Sequence, residues 1–218
     1  MARSGELARA TLIEQAERLF AERGIEGVSL RDVSAAAGQR NHSAAQYHFG
    51  DREGLVAAVF RARMHEVGRR RQERLDQLVA DGLGDDLVAL VTAAIEPLVE
   101  VVAETGGWYA RFLARTRWDT LASRVVVDLP EVASYRAVVL RVVSLLDDMP
   151  TAIRRSRADQ LLTLVVGTIA GWEWARHRAA PRLSQRDLTL DLVNTAVALL
   201  RAPVASIDHP PTLTGATP

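Results

Sequence analysis

The sequence predicts an all-α protein in two parts, a small three-helix head and a larger helical body, joined by one long helix. Three observations carry that prediction. Apolar residues recur at helical spacing almost throughout, without convincing strand alternation. Gly24, Gly38 and Gly50 cut the first fifty residues into short pieces. Beyond "ADGLGDD" at residues 80–86 the segments lengthen and become more apolar, and all four Trp lie there.

The first helix runs from about Leu7 to Arg23, with Ile13, Ala16, Leu19 and Phe20 on one face and Gly24 as its stop. Ser29-Leu30-Arg31-Asp32 is a capping-box pattern, which opens a short helix with Leu30, Val33 and Ala37 inward and Gly38 at its end. A third short helix fits from Asn41 or His42 to Phe49. Gly50 closes it, and Asp51 caps a longer helix that carries Leu55, Val59 and Phe60 towards Leu78. In the body, helical segments fit at about 85–104, 107–122, 131–148, 154–179 and 185–201. Gly106-Gly107, Pro130, Pro150 and Pro181 punctuate them, and Ser184 to Asp187 forms a second capping-box pattern. The division is then residues 1–55 as head (linking helix about 51–78), 79–202 as body, and 203–218 as a disordered tail rich in Pro, Thr and Gly.

Composition removes several classes of function. There is no Cys, so disulfides, thiol redox sensing and thiolate metal sites are absent together. Arg, Asp or Glu interrupts each apolar run before the roughly 20 residues a bilayer span needs. The first residues lack the apolar core of a signal peptide, and the chain reads as cytoplasmic. All 27 basic residues are Arg, so any basic contact to phosphate uses a guanidinium fork. Net charge is zero, but residues 1–75 hold 13 Arg against 10 acidic residues and the remainder 14 against 17, a slight tilt of the head towards anions.

Helix, short capped helix, Gly turn and short helix make the layout of a helix-turn-helix, whose second helix enters the major groove. The chemistry of "QRNHSAAQYHF" suits that role. Asn41 and Gln46 can pair with base edges, and Ser43 can reach bases or phosphate. Arg40, Tyr47 and His48 can donate to phosphate oxygens, with Arg52 beside the anion-attracting start of the next helix. His42 belongs to the same row, Ala44 is small enough for close approach, and Ser29 completes the candidate DNA-binding set. A polar surface turn between helices explains the same residues without DNA, and Phe49 reads as core.

"TLIEQAERLFAERGIEGVSLRDVSAAAG" followed by "YHFGDREGLVAAVF" closely resembles the N-terminal domain of the tetracycline-repressor (TetR) family of bacterial transcriptional regulators. The resemblance covers about residues 8–60. It implies an N-terminal helix-turn-helix DNA-binding domain joined by a long helix to an α-helical ligand-binding and dimerisation domain. It also implies a recognition helix over 42–48, Tyr47 and His48 near phosphate, and Arg52 where the family usually has Lys. One feature departs from the pattern: the 39–46 segment carries one residue more than usual, and Gln46 replaces a common aromatic. The extra residue is expected to lengthen the turn, because inside the helix it would rotate the base-facing set by about 100°.

A helix-turn-helix unit usually works as a symmetric pair. The expected dimer interface is the apolar stripe Leu161, Val165, Ile169 and Trp172 with Leu188, Leu192 and Leu199, with Gly167 and Gly171 permitting close approach; the alternative is that these stripes are only intrachain core. Trp108, Phe112, Trp118, Tyr135 and Trp172 form the candidate ligand-binding set, with the same alternative. The function expected is a homodimeric repressor that binds a palindromic operator and is released by a small-molecule effector. No metal, cofactor or catalytic group is expected: the body holds one His before the tail, no Glu-x-x-His pair and no Gly-rich phosphate loop. A helical-bundle carrier or enzyme, and an activator of the same fold, remain alternatives.

Overall fold

The computed structural model describes residues 2–180 and 182–204, so most of the expected disordered tail, and Pro181, lie outside the described residues. Among the described residues the regular structure is helical, with no strand. The head comprises α1 (Ala2–Arg23), α2 (Leu30–Ala36) and α3 (Ala44–Phe49), and α4 (Arg52–Ala80) leads from it. The body comprises α5 (Leu87–Thr105), α6 (Tyr109–Thr116), α7 (Thr120–Val127), α8 (Ala133–Ser144), α9 (Thr151–His177) and α10 (Gln185–Arg201). No helix among the described residues is long and apolar enough to cross a membrane.

Two boundaries differ from expectation for local reasons. The single helix expected over 107–122 is broken into α6 and α7. Asp119 stops following the helix and its carboxylate instead accepts the Ala122 amide at 2.9 Å, capping α7. The segment expected over 131–148 begins as a 3-10 turn at Pro130–Val132, where the proline ring suits a first turn, and ends at Ser144.

One apolar core runs through head and body. In the head it contains Leu12, Ala16, Phe20, Val33 and Ala45; α4 adds Leu55, Val56 and Val59; the body continues it through Ile95, Phe112, Ile169 and Leu200. Helix α6 is the junction, lying against α1 on one side and α9 on the other. Its first turn is held by two buried carboxylates. Glu17 of α1 accepts the Trp108 amide at 2.8 Å and pairs with Arg63 of α4 at 3.1 Å. Glu173 of α9 accepts the amides of Ala110 at 3.0 Å and Arg111 at 3.1 Å. The helix start is the positive end of its dipole, so both carboxylates are placed where charge complements it.

Along their solvent side, α4 and α5 are joined by guanidinium–carboxylate forks. Arg70 binds both oxygens of Glu104 at 2.7 Å and also reaches Glu66, while Arg74 bridges Glu96 at 3.1 Å and Glu100 at 2.6 Å.

The expected dimer residues require correction. Leu161, Val165, Ile169, Trp172, Leu188 and Leu192 are all at most 8% exposed in the single chain, and Leu199 packs against the same core. A side chain already out of water has almost no apolar surface to give a partner, so this stripe is intrachain core. The opposite faces of the two helices are open. A Cβ added at Gly167 or Gly171 would meet nothing within 4 Å, and Leu190 is 53% exposed.

The candidate ligand residues occupy separate environments. Phe112 is fully buried among Phe20, Phe60 and Tyr109. Trp118 is 74% exposed, with Arg117 over its ring. Trp172 is buried with its indole N–H donated to the Leu183 carbonyl at 2.8 Å. Trp108 stacks on His177 and lies under the Arg111 guanidinium. Tyr135 packs beneath Arg71.

Candidate nucleic-acid interface

The turn between α2 and α3 is built by backbone chemistry that leaves its polar side chains outward. At its start, Ser29 and Asp32 form the full capping box, the Asp32 amide donating to Ser29 Oγ at 3.1 Å and the Ser29 amide to Asp32 Oδ2 at 2.9 Å. These bonds, led by the Ser29 hydroxyl, hold the exposed Asp32 carboxyl below its usual range. At the end of α2 the Gly38 amide donates to the Ala35 carbonyl and the Gln39 amide to the Ser34 carbonyl, both at 3.0 Å. That pair of bonds is a Schellman motif, and it requires the left-handed φ of +65° that Gly38 adopts.

Asn41 then makes an Asx turn, its Oδ1 accepting the Ser43 amide at 2.9 Å. Because Asn41 and Ser43 are spent on this turn, α3 starts at Ala44 rather than at residue 41 or 42. The two helices are then pinned together by Ser34. Its hydroxyl is fully buried, donates to the Leu30 carbonyl at 3.0 Å and accepts the Ala45 amide at 3.0 Å. At the far end of α3, Asp51 caps α4 through the Gly54 amide at 2.8 Å, and the Phe49 carbonyl lies so close to Gly54 that an added Cβ would stand 2.1 Å from it.

On this frame Arg40, Asn41, His42, Ser43, Gln46 and Tyr47 are exposed, and His48 and Arg52 are half-buried. Tyr47, at 85% exposure, is the most outward aromatic, its ring edge-on to His48 at 5.3 Å between centroids. Two expected members are placed differently. Ala44 is 9% exposed and, with Ala45, faces the head core, so it does not offer a surface for close approach. Ser29 is exposed, but its hydroxyl is committed to the capping box. Ser34 and Glu17 are the positioning residues that the sequence reading passed over. Each lies four residues after an apolar neighbour on the inner face of its helix, Leu30 and Ile13 respectively, a periodicity that flags both. Among the described residues no group of three or more His, Cys, Asp or Glu side chains could hold a metal ion.

A capped helix, a tight turn and a short helix with an outward polar row define a helix-turn-helix head. Residues 12–59, which span this head, match the model of the tetR family of bacterial regulatory proteins. The chain is 43% identical over 63 residues to the HTH-type transcriptional repressor AcnR of Corynebacterium glutamicum, a match covering 28% of this chain and 33% of that one. It is 35% identical over 98 residues to the HTH-type transcriptional repressor KstR2 of Rhodococcus jostii, covering 44% of this chain and 46% of that one. The chain thus matches less than half the length of these relatives.

The fold is shared more widely. AibR, solved in complex with isovaleryl coenzyme A and operator DNA, superposes with a TM-score of 0.54 over 86% of this chain and 97% of its own, at 16% identity. NalD of Pseudomonas aeruginosa, the secondary repressor of the MexAB-OprM multidrug efflux pump, gives 0.54 over 88% and 96%, at 18% identity. The described residues therefore have the fold of solved TetR-family regulators, with an N-terminal helix-turn-helix and a helical C-terminal domain.

Proposed function

We propose that the protein is a cytoplasmic, homodimeric transcriptional repressor that binds a palindromic operator through α2 and α3 and is released by a small-molecule effector held in the body. The observation that carries this reading is the outward row Arg40, Asn41, His42, Ser43, Gln46 and Tyr47 on a turn whose own backbone needs are met internally. In this reading α3 lies in the major groove, with Gln46 and Ser43 at base edges and Asn41 beside them through its amide N–H₂, its carbonyl oxygen being used in the turn. Tyr47, His48, Arg40 and Arg52 contact phosphates.

Pairing uses the exposed faces of α9 and α10, where Gly167 and Gly171 let a second copy come close and Leu190 supplies apolar surface. The bound effector favours a body conformation that holds the two heads at the wrong separation, a population shift carried by α4. AibR, solved with both an acyl-coenzyme A and operator DNA, supports the coupling of a ligand to this fold. The test is selection of bound sequences from random duplexes by the purified protein. A palindromic motif with half-sites about one helical turn apart, or a multiple of it, is expected; no enrichment would overturn DNA recognition.

A further inference from the structure

The body contains a charge with no countercharge. Arg71, on the inner face of α4, is 3% exposed, and no carboxylate lies within ion-pair distance of it among the described residues. Its guanidinium has only long contacts. Nη2 donates to the Ala94 carbonyl of α5 at 3.2 Å, Nη1 reaches Ser134 Oγ of α8 at 3.5 Å, and Nε has no partner. Burial pushes the group down to about 10, so it remains charged at neutral pH. Tyr135 lies under it, with the ring centroid 5.5 Å from the guanidinium carbon. The acids of the packed elements are turned elsewhere: Glu96 and Glu100 of α5 pair with Arg74 and Arg70, and Glu131 of the 3-10 turn lies 3.9 Å from Arg61 through Oε1, its Oε2 having no partner. A buried cation left unpaired is among the costliest features a core can carry, and it persists in cores where something else neutralises it.

Resting on the effector reading above, we infer that Arg71 is the anchor for the carboxylate of an acidic effector whose remainder is apolar, bound where α4, α5 and α8 meet. The two oxygens of a carboxylate match the unused Nε and the adjacent Nη2 of one guanidinium in fork geometry, the edge that Glu66 occupies on Arg69. Ser134 and Tyr135 bring hydroxyls to the same place. The rest of the ligand meets apolar groups: Val67 one turn before Arg71, Ala94 and Leu98 on α5, and Val138 one turn after Ser134, all at most 6% exposed. A phosphate dianion would bring more charge and more acceptor oxygens than this one guanidinium and two hydroxyls can satisfy. Because these helices are closely packed, entry of the ligand displaces α4, the element that carries the head.

The test uses the full chain, the operator obtained by selection, and octanoate, benzoate and phenylacetate, each paired with its neutral amide. Thermal melting reads binding and fluorescence anisotropy reads operator release. At least one acid should raise the melting midpoint and release the operator while its amide does neither. Arg71→Met should raise the midpoint of the ligand-free protein and weaken the acid about 10- to 100-fold, as lost charge-assisted hydrogen bonds do; Arg71→Lys, keeping the charge, should retain a weakened response. The proposal is overturned if no acid acts, if acids act equally on Arg71→Met, or if that variant melts lower than wild type. A neutral compound that releases the operator from both wild type and Arg71→Met would leave the effector reading standing and remove Arg71 from it.

Discussion

Replacing Glu173 by Gln tests the junction between head and body through its pH dependence. Glu173 is 1% exposed, and burial, the largest influence, pushes its carboxyl from 4.5 up to about 7; the nearby Glu17 carboxylate acts in the same direction, while the Ala110 and Arg111 amides and the Arg111 charge pull it back. A carboxyl whose value is higher in the folded chain than in the unfolded one binds more protons when folded. Stability therefore falls as pH rises from about 4.5 through about 7, and is fully present below that window. The displacement corresponds to about 3 kcal/mol, lost in full by about pH 8. Gln has nearly the shape of the protonated side chain and does not titrate. Its NH₂ cannot accept the amide that one Glu173 oxygen accepts, a loss present at every pH, so the midpoint of the variant relative to wild type should rise between pH 5 and pH 8 by about 6–12 °C for a chain of this size. Paired thermal melts of the two proteins at each pH, followed by circular dichroism, measure the difference directly. A difference that stays constant from pH 5 to 8 would refute the assignment of a buried, ionising carboxyl at the start of α6.

Ser34→Ala removes the acceptor of a buried amide and should cost about 1–3 kcal/mol, read as a lower denaturation midpoint together with weaker operator binding. Arg52→Ala should weaken binding to all duplexes alike and reduce the slope of log K against log salt by about one, whereas Tyr47→Phe should lower affinity and leave the slope unchanged, since a phenol releases no counterion; a normal slope in Arg52→Ala would remove it from the phosphate contacts. Gly167→Arg places a long charged side chain on the open face of α9 and should shift the protein to monomer in sedimentation velocity, with operator affinity falling in parallel; an unchanged dimer would move the interface elsewhere.

The head was legible because its signals are local. Ser29 and Asp32, Gly38, Gly50 and Asp51 each act on backbone groups within four residues, so their roles survive without knowledge of the rest of the chain. The start of α3 was misplaced because Asn41 can serve either a helix or an Asx turn, and only the Ser43 amide decides between them. The body was less legible because an apolar stripe states that something is buried and not against what. Leu161 and Leu188 look the same whether a partner or α5 covers them. The most informative body residues were the polar ones set into such stripes. Arg71 follows Val67 by four positions, and Glu173 follows Ile169 likewise. A charge at the core-facing position of a helix marks a place where the fold does more than exclude water.

The forks between α4 and α5 divide the linking helix into two mechanical regimes. At Arg70 and Arg74 it is riveted to α5 on successive turns, and at Gly68 its backbone rests so near the Glu131 carbonyl that a Cβ would stand 2.8 Å away. From Arg52 to Arg63 it is fastened by single pairs, Arg63 to Glu17 of α1, Arg61 to Glu131 of the 3-10 turn and Glu53 to Arg124 of α7. A beam built into a wall along its far half bends at the edge of the wall. For α4 that edge lies at Gly68, about 24 Å of helix from Arg52. A small tilt at this point is magnified along that arm into a displacement of the whole reading surface.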